Sequence, residues 1–204
     1  KLRHLEQPVV LINARDPALA WVDVDNVLGA QAVTDHLIRL GHTRILFVTG
    51  NGTSQNAMDR LEGYRRALRA HGIADVPGLI INANFGIQDA QSAIRERLVQ
   101  SQVFSAVFAA NDLMAIGAIR ALTERGFAVP ADIAVVGFDD ADFASSFYIP
   151  LTTYRQPFRN LGFIAGRAAI QAIHTGGRST CQVELMGELI VRQSCGSTAR
   201  VTAG

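Results

Sequence analysis

The chain has 204 residues, of which 49% are hydrophobic and 18% charged, so it can bury a core as one medium-sized domain or two small lobes, and general disorder is excluded. Its 19 Lys and Arg residues against 18 Asp and Glu give a formal charge of +1, so no overall field attracts it to nucleic acid or to an anionic membrane. Cys181 and Cys195 lack metal-ligand spacing, and no apolar stretch is long enough to be a signal segment or a membrane span. We therefore expect reduced cysteines, a cytoplasmic location and no contact with a membrane.

Short apolar runs alternate with amphipathic stretches, which is typical of crossover units on a parallel sheet. Strands are predicted at residues 9–12, 44–48, 79–81, 106–109 and 133–136. Helices are predicted at 27–40, 56–70, 112–124 and 159–174. The first helix places Val33, Leu37 and Leu40 on one face, which favours packing on the sheet. The last two helices are apolar on several sides and are candidates for burial on both faces.

The alternation ends after Asp139 and Asp140. Residues 150–154 read as a strand, and residues 183–191 read as more extended chain after a helix. This late segment is predicted to belong partly to another lobe. A sheet that opens on a single strand at residues 8–12 needs partner strands, so we expect an upstream part that this chain lacks.

Polar or aromatic side chains follow each of the five predicted strands. Because the carboxyl ends of parallel strands meet at one edge, where open α/β sheets bind ligands, these groups are expected to gather there. In chain order they are Asn13, Arg15, Asn56, Arg60, Phe85, Asn111, Asp112 and Asp139. Arginine and aspartate for paired hydrogen bonds, asparagine as donor and acceptor, and an aromatic face suit a neutral, hydroxyl-rich ligand.

Each residue also has a purely structural interpretation. Arg60 could pair with Asp59 or Glu62 on its own helix. Asn111 could simply cap the helix that follows it, and Phe85 could belong to the core. The shared position at strand ends favours the ligand site over these alternatives.

Catalytic chemistry is not indicated. No histidine accompanies a serine or cysteine nucleophile in a motif, and we predict no enzyme activity, no metal and no cofactor. Asp139 and Asp140 could suggest acid–base work, but neighbouring residues on an extended strand point apart, so one is expected to face the site while the other pairs or caps. The glycines of Gly50-Asn51-Gly52 start like a dinucleotide loop, yet the third glycine and the acidic residue are out of register.

Two longer runs carry a family resemblance. FAANDLMAIGA at 108–118 and VPADIAVVGFDD at 129–140 resemble the lactose-repressor/galactose-repressor family. The segments at 40–45, 60–64, 150–157 and 188–194 are similar to that family too, in its order and approximate spacing. The resemblance extends from about residue 8 to residue 194.

The resemblance implies a two-lobed α/β sensor like the periplasmic binding proteins, with parallel sheets flanked by helices. Residues 1–23 and 156–185 would form part of a truncated N-terminal lobe, residues 24–155 and 186–197 a nearly complete C-terminal lobe, and residues 198–204 a tail. Family members are homodimers in which a small effector closes the cleft between lobes and alters how paired heads grip DNA. The helix-turn-helix head has no counterpart here, so DNA would be bound only through a head that this chain lacks.

By motif position, the resemblance assigns effector contacts to Asn13, Asn56, Arg60, Phe85, Asn111, Asp139 and Gln156. The predicted function is therefore the effector-binding and dimerisation domain of a transcriptional regulator that senses a small metabolite, expected to be a sugar. A periplasmic sugar-binding protein of a transport system, which shares the fold, is the alternative. An enzyme on the same scaffold is a third hypothesis, without a supporting constellation of residues.

Overall fold

The computed structural model describes residues 7–99, 104–176 and 179–196, and these form two compact units. The first unit combines the chain up to Asp25 with Gln156–Gly187, and the second combines Asn26–Arg155 with the chain from Glu188 onward. The sequence analysis placed the three points at which the chain passes from one lobe to the other after residues 23, 155 and 185. The predicted tail at 198–204 lies outside the described residues.

Strands and helices alternate through most of the chain. The strands are β1 (Val10–Ile12), β2 (Ala20–Val24), β3 (Ile45–Thr49), β4 (Ile80–Asn82), β5 (Ala106–Ala109), β6 (Ala134–Asp139), β7 (Thr152–Arg155), β8 (Gln182–Leu185) and β9 (Glu188–Ile190). The helices are α1 (Asn26–Arg39), α2 (Gln55–Ala70), α3 (Ile87–Val99), α4 (Asp112–Glu124) and α5 (Phe158–Thr175).

The second unit is built on a six-stranded sheet in the order β4-β3-β5-β6-β7-β9. All neighbouring strands are parallel except β9, which runs antiparallel to β7. Strands β5 and β6 are buried almost throughout, as expected for a parallel sheet covered by helices. At its core, the ring of Phe47 stacks on Tyr64 at 5.0 Å and meets Phe108 edge-on at 5.1 Å.

The first unit has a three-stranded parallel sheet in the order β1-β2-β8, with α5 packed on it. Its core centres on Val22, Leu161 and Ala165. The predicted burial of this helix on both faces is wrong for the described residues, since the side of α5 away from the sheet carries exposed Phe163, Ile170 and Ile173. Within the described ranges, no helix is both long and apolar enough to cross a bilayer.

Two elements were not predicted. In β2 (AWVDV), a buried aspartate interrupts the apolar run: Asp23 is fully buried and receives a hydrogen bond of 2.6 Å from Arg15 Nε. In α3, only Ala90 and Ile94 are buried, so the helix shows little amphipathic signal. The segment 183–191 divides into β8 and β9, which belong to different units.

Candidate ligand-binding site

Arg60 lies at the centre of the polar edge of the second unit. Its side chain is only 5% exposed, and it lies within the second turn of α2. Its Nε donates to Asn26 Oδ1 at 2.8 Å, and its NH1 donates to the backbone oxygen of Ala110. The same NH1 lies 3.7 Å from Asp139 Oδ1, and the guanidinium carbon lies 3.9 Å from the centre of the Phe138 ring. Partners from three segments therefore fix the plane of the guanidinium.

The alternative interpretation of Arg60 as a partner of its helical neighbours is wrong. Asp59 accepts a hydrogen bond from Gln55, and Glu62 pairs with Arg66 and Arg69. The pKa of Glu62 is lowered by the hydrogen bonds from these two arginines. Arg60 is thus held toward the strand ends rather than along the helix surface.

Asn26, which the sequence analysis missed, connects two of the predicted site residues. It is the first residue of α1 and is fully buried. Its Oδ1 accepts from Arg60, and its Nδ2 lies 3.5 Å from Asn56 Oδ1 at the limit of a hydrogen bond. The signal was its place two residues after a strand, and that strand, β2, was itself not predicted.

Asn111 and Phe85 form a second linked pair at the same edge. Asn111 caps α4, since its Oδ1 accepts from the backbone N–H of Met114 at 2.8 Å, and its Nδ2 donates to the backbone oxygen of Phe85 at 3.2 Å. Phe85 has φ +62°, and a Cβ atom added to Gly50 would lie 2.0 Å from its ring. Gly50 therefore has a packing role, because only glycine lets the ring lie this close to the loop after β3.

Asp139 and Asp140 have different surroundings, and the pairing predicted for one of them is observed at Asp140. Asp139 lies beside Arg60, whereas Asp140 accepts from Arg155 at 2.6 Å and from Arg192 at 2.7 Å. Burial opposes ionisation of Asp140, but the hydrogen bonds from Arg192 and Arg155 outweigh it and hold the pKa of this carboxyl below its ordinary value. Asp140 thus has a structural role as the partner of two arginines, and Asp139 is the carboxylate of the candidate site.

Five of the seven predicted effector contacts lie in the second unit and two in the first. Asn13 follows β1 with φ +55°, and its backbone N–H donates to Val22 at 3.2 Å. Gln156 directly follows β7, is 5% exposed, and is counted with the first unit.

The groups in the second unit can recognise adjacent hydroxyls. A guanidinium fork donates only, an ionised carboxylate accepts only, carboxamides do both, and an aromatic ring offers an apolar face. Among the described residues, no cluster of three or more His, Cys, Asp or Glu side chains could hold a metal ion. Polar donors and acceptors at the carboxyl ends of parallel strands define an α/β ligand-binding domain.

Comparison with known proteins identifies the family. The model of the periplasmic binding protein-like domain matches residues 34–195. The chain is 37% identical to the HTH-type transcriptional regulator CelR of Thermobifida fusca over 178 residues, which cover 86% of this chain and 52% of the relative. It is 32% identical to DegA of Bacillus subtilis over 189 residues, covering 92% and 56%. The chain belongs to the lactose-repressor (LacI) family of transcriptional regulators, and it spans about half the length of the curated relatives it matches.

Solved structures give the same result for the fold. The complex of the regulator CelR with cellobiose superposes with a TM-score of 0.85 at 33% identity, covering 91% of this chain and 58% of that one. A LacI family regulator from Enterococcus faecium with bound ribose gives a TM-score of 0.83 at 26% identity, covering 92% and 70%. The predicted family and the predicted α/β, periplasmic-binding-protein-like fold are both confirmed.

Proposed function

We propose that this chain is the effector-binding and dimerisation domain of a cytoplasmic transcriptional regulator, and that its effector is a small carbohydrate. The observation that carries the proposal is the buried Arg60 beside Asp139, with 3.7 Å between NH1 and Oδ1. A sugar diol can accept from the guanidinium through one hydroxyl and donate to the carboxylate through the next. Two relatives in the family are described with cellobiose and with ribose, which supports a ligand of this class.

A thermal-shift screen of the full-length protein tests the effector class. The panel contains cellobiose, ribose, other pentoses and hexoses, sugar phosphates and purines. A ligand at 100 times its dissociation constant stabilises the folded state by about 2.7 kcal/mol, which raises the melting temperature measurably. We expect a neutral sugar to produce this shift. A shift with purines alone would contradict the carbohydrate proposal.

We propose that the full-length protein contacts DNA through an N-terminal helix-turn-helix head, since its relatives are HTH-type regulators and this chain spans about half their length. The family membership favours this function over transport and over catalysis. The gene sequence upstream of Lys1 distinguishes a regulator from a transport protein. A helix-turn-helix segment encoded in frame before Lys1 excludes a transport protein, whereas a signal peptide there favours one.

A homodimer is the proposed assembly. Helix α4 is buried on most sides, but Leu113 is 40% exposed, and Tyr148, whose hydroxyl lies 3.4 Å from Thr123 of α4, is 63% exposed. Exposed side chains of this size favour a protein partner, and most soluble homo-oligomers are two-fold dimers. We expect the full-length protein to sediment as a dimer. A strict monomer at micromolar concentration contradicts this prediction.

A further inference from the structure

Asp112, the first residue of α4, holds together three segments near the candidate site. Its side chain is almost fully buried. One carboxylate oxygen accepts a hydrogen bond from Thr153 Oγ1 at 2.6 Å, and the other accepts from the backbone N–H of Ala141 at 2.8 Å. The carboxylate therefore links the start of α4 to β7 and to the segment that follows β6.

A glycine in β6 makes room for this carboxylate. A Cβ atom added to Gly137 would lie 2.2 Å from Asp112 Oδ1, closer than any side chain allows. Glycine weakens the interior of a strand and commonly marks a close approach. Here the group that approaches is the carboxylate of Asp112.

The segment between Gly137 and Ala141 contains the candidate ligand-binding carboxylate. Asp139 has φ +128° and Asp140 has φ +57°, so two consecutive residues that are not glycine adopt left-handed backbone conformations. Such conformations persist only where the surroundings enforce them. Thr153 takes part on both sides, because its hydroxyl donates to Asp112 and lies 3.3 Å from the backbone N–H of Asp140.

We propose that Asp112 is a positioning residue for effector binding, which keeps Asp139 beside Arg60 by anchoring the turn at residues 139–141. Asp112 acts through Ala141 and Thr153 and does not itself touch the effector. The inference rests on the proposed function, since it assigns a role within the same binding site.

The charge of Asp112 provides a direct readout of this role. Burial raises the pKa of its carboxyl to about 7, the hydrogen bonds from Thr153 and Ala141 oppose the shift, and the charges of Asp139 and Asp140 add to it. We therefore expect its protonation to change near neutral pH. The ionised form accepts two charge-assisted hydrogen bonds, whereas the protonated form turns one oxygen into a donor and holds the turn less firmly.

Other charges in this region are arranged in two groups. Asp139 lies beside Arg60 of α2, and Asp140 is paired with two arginines. The charged groups around Asp112 and its neighbours are Arg60, Asp139, Asp140, Arg155 and Arg192. Because arginine keeps its charge at all these pH values, the protonation of Asp112 is the change that we expect between pH 6 and pH 8.

The test uses the full-length protein and the variant Asp112→Asn, which keeps the shape of the side chain and stays neutral. Its matched control is Asp89→Asn, since Asp89 also lies in the first turn of a helix, α3, but is exposed. The first measurement needs no ligand. Amide NMR signals of residues 139–141 are expected to titrate with a midpoint near pH 7 in the wild type and in Asp89→Asn, but not in Asp112→Asn.

The second measurement is the affinity for cellobiose or ribose, whichever the wild type binds. We expect wild-type binding to be about fivefold tighter at pH 8 than at pH 6, which is the order of difference between charge-assisted and neutral hydrogen bonds. Asp112→Asn should bind at both pH values about as weakly as the wild type does at pH 6. A variant with a lowered melting temperature but the wild-type affinity and pH profile overturns the inference. If no sugar binds the wild type, the carbohydrate proposal fails, and the amide titration still decides the role of Asp112.

Discussion

Arg60→Ala and Asp139→Ala are each expected to weaken effector binding by about ten- to a hundredfold. Hydrogen bonds to charged groups contribute about 1.5 to 3 kcal/mol where water is excluded, and this range corresponds to that change in affinity. Arg60 is 4% exposed as a residue, so its guanidinium is already desolvated, and either substitution removes one charge of the ion pair that would face the effector. Isothermal titration calorimetry of the full-length protein with its identified sugar measures the effect.

Arg65→Ala is the matched control for this prediction. Arg65 lies on the same helix and forms an ion pair of 2.8 Å with Asp75, but both side chains are more than a third exposed. Exposed pairs contribute little, so this variant should bind the effector like the wild type. If Arg60→Ala and Asp139→Ala fold and bind with undiminished affinity while only their melting temperatures fall, the two residues stabilise their loops and do not bind the effector.

The location of the candidate site was predictable, because the direction of the parallel strands alone determines where their carboxyl ends lie. Carboxyl ends of parallel strands converge, so the polar residues after each apolar run could be assigned to one region before any contact was known. Arg60, Asn111 and Asp139 were assigned to the site in this way. Asn111 lies two residues after β5, Asp139 ends β6, and Arg60 lies in α2, the helix that follows β3. Of these, Arg60 and Asp139 lie close together, with 3.7 Å between NH1 and Oδ1.

The residues behind this edge could not be predicted from the same pattern. Asn26 is buried at the start of a helix whose preceding strand contains a buried aspartate, and nothing in local periodicity shows that its side chain faces Arg60, 34 positions away. Asp112 was counted among the polar residues after the strands, but the pattern did not show which groups it would bond. Its bonds to Thr153 and Ala141 depend on tertiary contacts 41 and 29 residues along the chain. The residues assigned to the ligand follow from the topology of the sheet. The residues that hold them in place, such as Asn26 and Asp112, depend on tertiary packing.

The close contact between α1 and α2 gives the second large expected effect. A Cβ atom added to Gly63 of α2 would lie 2.2 Å from the backbone oxygen of Val27 and 2.8 Å from the Cβ of Ala30, both in α1. Backbone atoms cannot rotate away, so Gly63→Ala must push the two helices apart. Overpacking of this kind typically costs about 1 to 3 kcal/mol, and Gly63→Val should cost more.

The displacement should also reach the ligand-binding site. Val27 directly follows Asn26, whose Oδ1 accepts from Arg60 at 2.8 Å, so moving the start of α1 disturbs the support of the guanidinium. We therefore expect Gly63→Ala to lower both the melting temperature and the affinity for the effector.

The control is Gly166→Ala in α5, an exposed helical glycine with no atom within 4 Å of an added Cβ. That substitution should stabilise its helix by about 0.5 to 1 kcal/mol, because alanine loses less conformational freedom on folding than glycine. Chemical denaturation of the wild type, Gly63→Ala and Gly166→Ala measures the expected loss and the expected gain in the free energy of unfolding. If Gly63→Ala proves as stable as Gly166→Ala and binds normally, the two helices do not approach each other this closely in solution.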